Sequence, residues 1–226
     1  MDNESFLNEP KVAAWKKSLE DSGYTINAIT PLNLLYRANG ELLFALLKVD
    51  AVDGDGWPLV PYVFIRGHAC IIVPLLRSRA TGEERFMMVR QRRIGHGRPD
   101  LEFPAGMLDR DIHDPAGVAV RELEEETGLA INAENLLPLV DGPLYSSPGA
   151  ADEGIYYFGV IVEMDEAQFR SFEGKMRGSA AESEHIRVEL KTRDEAEQDT
   201  ISLQARLAFF LFDRARPLLE RKALQR

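Results

Sequence analysis

The sequence predicts an α/β fold, and three observations carry that prediction. Strand-like apolar runs recur from residue 24 to residue 190, a helix with signals at both ends interrupts them at residues 115–127, and an amphipathic stretch from residue 201 closes the chain. A length of 226 residues suits one full-sized domain or one domain with a modest appendage, and 45% apolar against 28% charged residues is a globular composition. Collagen-like, low-complexity and disulfide-scaffold classes are excluded. The 27 basic and 37 acidic residues give a formal charge of -10, so the overall field repels a nucleic-acid backbone. A small phosphorylated ligand stays compatible where local arginines or a bound cation override that field.

The elements follow in order. Residues 1–11 are acidic and polar where a secretory signal would be basic and then apolar, and no stretch approaches the roughly 18 uninterrupted apolar residues of a membrane span. Residues 10–23 read as a short helix, with Val12, Trp15 and Leu19 at helical spacing and Gly23 just past its end. Residues 24–29, 34–36 and 41–49 carry strand patterns, and Asp53-Gly54-Asp55-Gly56 supplies a turn into a further strand at 59–66. Residues 68–76 form a nearly continuous apolar strand suited to burial on both faces, which 85–91 can pair with across the polar loop 77–84. The lone Cys70 lies in that run, where it reads as a buried structural thiol; with no second cysteine for a disulfide, the chain is expected to be cytoplasmic.

A loop at 94–100 leads to residues 101–129, which change from strand to loop to helix to loop. Asp114 precedes Pro115 as cap and first helical residue, and Gly128 sits where a C-terminal glycine belongs. Strands are expected at 136–140, 155–163 and 185–190, a short helix at 166–172 and the closing helix at 201–216. There is no internal repeat, and the domain boundary falls near residues 55–65.

The central helix carries the chemistry. At 100° per residue Glu122, Glu125 and Glu126 share one face, while Ala116, Val120, Leu123 and Thr127 share another. Like charges three and four apart cost about 0.2–0.5 kcal/mol per pair, and carboxylates in the last turn also oppose the helix dipole. Arg121 offsets part of this by pairing with Glu125. The rest is a compact set of hard oxygen ligands suited to Mg²⁺ or Mn²⁺. An isolated Arg-Glu-Leu-Glu-Glu-Glu string is ordinarily a solvated face; its surroundings change the reading.

Pro104-Ala105-Gly106, the loop of aspartates, the capped helix and Gly128 together resemble the signature of the Nudix hydrolase family. Its second half reads Arg-Glu-apolar-any-Glu-Glu-any-Gly-apolar, and Arg121, Glu122, Leu123, Glu125, Glu126, Gly128 and Leu129 match it without a gap. The first half departs: counting back puts His113 where the family has glutamate and Met107 where it has glycine, and taking Gly106 as that glycine needs one inserted residue. Asp109, Asp111 or Asp114 could supply the missing carboxylate. A similar insertion is associated with plant-type ADP-sugar diphosphatases. The resemblance implies a Nudix-type α/β/α sandwich with a mixed β-sheet, preceded by a small β-rich extension, with residues 1–60 as the extension and 61–226 as the hydrolase domain.

It also implies roles. Glu122 and Glu126 would be metal ligands, joined by the carbonyl of Ala105; Glu125 would act as ligand directly or through water, and Arg121 would orient the glutamates. Gln91-Arg92-Arg93 is similar to the Gln-any-Arg of the ADP-ribose and ADP-sugar branch, whose arginine meets substrate phosphate, and Glu102 is placed like a glutamate near the nucleotide. Residues 146–153, ending in Glu153, resemble the Ser-Pro-Gly segment of that branch, where the final glutamate lies near substrate or metal. Residues 180–188 resemble its acidic loop, which makes Glu182 the candidate general base and Glu184 an additional ligand, with Glu153 and Glu184 as alternatives for the base. Tyr62, Phe64 and Arg66 lie where such enzymes hold an adenine or terminal sugar. The extension implies a homodimer, with Trp15 and Trp57 as candidate interface anchors.

Three functions follow from these readings: Mg²⁺-dependent cleavage of ADP-ribose or ADP-glucose to AMP and a sugar phosphate; the same attack on GDP-mannose, a dinucleotide or FAD; or a nucleotide-sensing module without turnover. Retention of Glu122, Glu125 and Glu126 favours an enzyme. Neither nucleic acid nor membrane is an expected partner.

Overall fold

The computed structural model describes residues 5–109, 111–178 and 185–225. After a 3₁₀ turn at Ser5–Asn8 come α1 (Pro10–Asp21), β1 (Thr25–Tyr36), β2 (Leu42–Val52), β3 (Tyr62–Ile65), β4 (Ala69–Ser78), β5 (Glu84–Arg93), β6 (Arg98–Glu102) and β7 (Ala105–Met107). There follow α2 (Pro115–Thr127), β8 (Leu137–Pro138), β9 (Leu144–Tyr145), β10 (Gly154–Met164), α3 (Glu166–Arg170), β11 (Met176–Arg177), β12 (Ile186–Lys191), α4 (Arg193–Asp199) and α5 (Leu203–Ala223). No helix among the described residues is long and apolar enough to cross a membrane. The chain divides into two compact units: Met1–Ala69 with Met107–Pro115 and Pro143–Ile155, and Cys70–Gly106 with Ala116–Gly142 and Tyr156–Arg226.

The first unit is built on the antiparallel sheet β1-β2-β3. Side chains alternate along β2, so Ala45, Leu47, Val49 and Ala51 point inward with Ile65 and pack on Phe6 and Val12. Opposed residues share a face, and Leu46 opposite Phe64 and Phe44 opposite Leu35 fall on the other one. There Leu35, Leu46, Tyr62 and Phe64 are exposed, and the Phe44 and Phe64 rings lie 5.2 Å apart. The two strands expected at residues 24–36 are one strand with register shifts around Pro31 and near each end. Proline is tolerated because β1 is an edge strand and its pairing shifts register beside Pro31. The turn after β2 is tied by Asp53, whose Oδ1 accepts from the Asp55 and Trp57 amides at 3.0 and 2.8 Å, and closed by Gly56 at φ +86°.

The second unit holds the larger, mixed sheet, in the order β11-β12-β5-β4-β10-β8 with β6 on β5. β4 is buried along its length except at Arg77, as its unbroken apolar run requires. Against it packs an aromatic cluster in which the Phe86, Phe103 and Phe209 rings, with Phe212 on Phe86, meet edge to face at 4.8–6.0 Å. The closing helix runs past Pro217 to Ala223, beyond the expected end at residue 216. Proline removes one helical donor, but Leu219 beyond it is buried and Glu220 accepts from Arg77 at 2.7 Å, so tertiary contacts outweigh the break. Helix α4 was not foreseen, although Thr192 and Glu195 form a capping box that the Thr-Arg-Asp-Glu string spells out. Residues 98–100, expected as loop, join the strand expected from 101 as β6 and pair with β5.

Candidate active site

Helix α2 presents its acidic residues unevenly. Arg121 and Glu125 are exposed and Glu122 is half-buried. Glu126 is only 4% exposed, on the packed side with Val118, Ala119, Leu123 and Thr127. This corrects the simple division into a packed and a charged face: Glu126 has left the charged face, and Val120 is half-buried instead of fully packed. A buried carboxylate needs donors or a cation, and the amide of Ala105 donates to Glu126 Oε2 at 3.1 Å. The neighbouring Gly106 makes room for Glu122, because a Cβ built there would overlap the Glu122 carboxyl group. The short strand β7 and the helix are thus fitted through two glutamates. Gly128 ends the helix at φ +78°, its amide donating to the Glu124 carbonyl at 2.7 Å.

Two glutamate carboxylates beside the Ala105–Gly106 backbone are a hard oxygen donor set, and they fit a divalent cation in chemistry and in the space that Gly106 leaves. Among the described residues no group of three or more acidic, histidine or cysteine side chains converges as a ready metal cluster. Cys70 lies in the electrostatic field of Glu122 and Glu126, and burial, with smaller contributions from these carboxylates, pushes its thiol up to about 12. It is therefore a neutral packing group, as expected. In native protein Cys70 is predicted to resist alkylation by iodoacetamide at pH 8 and to react on denaturation; rapid labelling of the folded chain, read by mass, would contradict its burial.

Arg93 and Glu102 are brought together. The guanidinium gives Nε and a terminal nitrogen to the carboxylate at 3.0 and 2.8 Å, and Gln91 Nε2 lies 3.5 Å from it. Arg92 alternates to the exposed side of β5. Glu182 and Glu184 lie outside the described residues.

Glu153 belongs to the first unit, where Arg66 holds it at 3.0 Å and the Ser146 hydroxyl at 3.3 Å. Beside it Asp152 accepts the Arg66 amide at 2.7 Å and the Gly67 amide at 3.1 Å, and His68 Nδ1 accepts the Gly154 amide at 3.1 Å. Burial pushes the His68 imidazole below its ordinary range against the opposing pull of Asp152. Gly67, His68 and Asp152, with Lys11, Trp15 and Tyr145, line a cavity of about 250 Å³. Asp109, one candidate for the missing loop carboxylate, is taken by Lys11 at 2.9 Å and Arg37 at 3.1 Å. Sequence reasoning missed Lys11. The available signal was its place one helical turn before Trp15 and two before Leu19, on a face where a charge would need partners.

The NUDIX domain pattern matches residues 67–208, well over half of the chain. "Nudix hydrolase 14, chloroplastic" of Arabidopsis thaliana is 32% identical over 180 residues, covering 76% of this chain and 58% of that protein. The match therefore spans little more than half of the relative's length. A solved structure described as an ADP compounds hydrolase superposes with a TM-score of 0.55 at 20% identity, covering 85% of this chain and 93% of that one, which is a likeness of fold. Glutamates fitted to the backbone of a strand, in a chain with this fold and these relatives, identify it as a member of the Nudix hydrolase family.

Proposed function

We propose that the chain hydrolyses the diphosphate of an ADP-sugar, ADP-ribose or ADP-glucose, to AMP and a sugar phosphate in a Mg²⁺-dependent reaction. The observation that carries the reading is the seating of Glu126 on the Ala105 amide with Glu122 against Gly106. Glu122, Glu126 and the Ala105 carbonyl would hold the cation, with Glu125 and Glu184 as further ligands. A bound cation would neutralise diphosphate charge and acidify the attacking water. The Ala105 amide keeps the Glu126 carboxylate turned to the strand, and Arg121 orients the exposed part of the acidic set. Arg93, aligned by Glu102, is the candidate for substrate phosphate, with Arg92 beside it. Glu182 is proposed as the base that takes the proton from water, with Glu153 or Glu184 as the alternative.

The ADP preference is supported by the description of the solved relative and by the Gln91, Arg93 and Glu102 cluster. Turnover of a panel of ADP-sugars, GDP-sugars, dinucleotides and FAD with Mg²⁺ in ¹⁸O-labelled water tests it. The expected products are AMP and a sugar phosphate, with the label showing which phosphorus is attacked. Preference for a GDP-sugar or FAD would replace the substrate, and binding without turnover would make the chain a sensor.

A homodimer is proposed through the outer face of β1-β2-β3, where exposed Leu46 stands opposite Phe64. Contiguous apolar surface of this kind gains from burial against a second copy. Leu46→Asp is expected to give a folded monomer by light scattering, since its side chain lies outside the core; an unchanged mass, or a monomeric wild type, would move or remove the interface.

A further inference from the structure

Lys11 stands near the start of α1, and its side chain is only 4% exposed. A buried ammonium has three donors to place. Lys11 Nζ gives them to the Leu43 carbonyl at 3.0 Å, the Arg66 carbonyl at 3.2 Å and Asp109 Oδ1 at 2.9 Å. The other Asp109 oxygen accepts from Arg37 at 3.1 Å. All of these residues belong to the first compact unit. Asp109 is also the only non-glycine residue with positive φ among those described, at +40°. Aspartate tolerates that region better than most side chains, but the conformation persists only where its surroundings over-determine it. A cation on each carboxylate oxygen does so.

The segment held in this way is the link between β7, which carries Gly106, and α2, which carries Glu122 and Glu126. Its backbone is otherwise tied by the Leu108 amide to the His68 carbonyl at 2.9 Å, Asp111 to Leu108 at 2.7 Å and Asp114 to Asp111 at 3.0 Å. This is the loop whose register departs from the family pattern: counting back puts His113 where the family has glutamate, and taking Gly106 as the glycine needs one inserted residue.

We propose that Lys11 and Arg37 are positioning residues for this loop. By pinning Asp109 they fix, within the first compact unit, the course of the loop that follows β7 and leads into α2. The effect on turnover rests on the hydrolase reading above; the brace itself does not.

Amide hydrogen exchange on the full-length protein, joined to steady-state kinetics, tests it. Asp109→Asn keeps a residue that accepts positive φ and leaves both carbonyl bonds of Lys11, removing only the anion. Exchange at Leu108, Asp111 and Asp114 should rise about tenfold to hundredfold, the range for loss of a charged hydrogen bond, with Leu47 of β2 unchanged. Lys11→Met should loosen the same amides, and the double variant should be no looser than the worse single one. Turnover of the nucleotide sugar should fall by about tenfold in kcat with KM within about twofold. Unchanged exchange in Asp109→Asn, multiplicative effects in the double variant, or loosening shared equally by β2 would overturn the brace. A wild-type kcat in the loosened variants would overturn the positioning role. If the wild type cleaves no nucleoside diphosphate conjugate, the hydrolase reading fails, and the exchange data still decide whether the brace exists.

Discussion

Gly106→Ala is expected to fold with near-wild-type stability and to lose most of its activity. A Cβ at this position would occupy the space of the Glu122 carboxyl group, and Gly106 is not among the glycines with positive φ. The backbone therefore accepts alanine, which by itself adds about 0.4–1 kcal/mol through the unfolded state. The atoms that must yield are the end of a flexible side chain, so the structural cost is small. The chemical cost is not, because Glu122 has to swing away from the strand. Displacing a proposed ligand should cost at least the roughly 10–100-fold typical of losing a group that supports one. Thermal unfolding and turnover measured on the same preparation separate the two effects. Full activity in a stable Gly106→Ala variant would remove Glu122 from the site, and collapse of the fold would make the glycine structural.

Glu126→Gln separates ligand from scaffold in a second way. Glutamine has the same shape and keeps an oxygen for the Ala105 amide, whose bond to Glu126 is 3.1 Å long. What is lost is an anion in a position only 4% exposed. Turnover is expected to fall by about hundredfold or more. The more telling readout is linkage: a cation that binds only the native state raises the melting temperature with its concentration. Mg²⁺ should therefore stabilise the wild type more than Glu126→Gln. An equal rise in both, or a variant with normal turnover, would assign the cation elsewhere. A melting temperature that fell steeply without any metal would instead make this carboxylate part of the packing.

What was legible in the sequence follows from how local each signal is. The caps and spacing of residues 115–127, the unbroken apolar run of β4 and the glycine after α1 are written in neighbouring residues, and α/β class followed from them. The family resemblance added the sandwich and the mixed sheet. The closing helix was read short because Pro217 breaks a helix locally, whereas the contacts of Leu219 and Glu220 that continue it come from elsewhere in the chain. The burial of Glu126 has the same origin: helical periodicity puts it near Glu122, but the donor that lets it turn inward is an amide twenty-one residues earlier. Arg93 and Glu102 were singled out separately and meet because β5 and β6 pair, which a loop reading of residues 94–100 concealed. The Lys11 contact to Asp109 crosses 98 residues, and the helical spacing that marks Lys11 as needing a partner does not say which one.

The first compact unit draws on three separated stretches of chain, Met1–Ala69, Met107–Pro115 and Pro143–Ile155. Shuffling of a coding sequence usually moves one uninterrupted block, and no such block contains this unit. A chimaera made by swapping only the first stretch between relatives would confront the two later ones with unfamiliar partners, Asp109 and Asp152 foremost. Exchange of the extension between enzymes of this kind should thus succeed only when all three stretches travel together, which ties the inheritance of the front of the molecule to that of its middle.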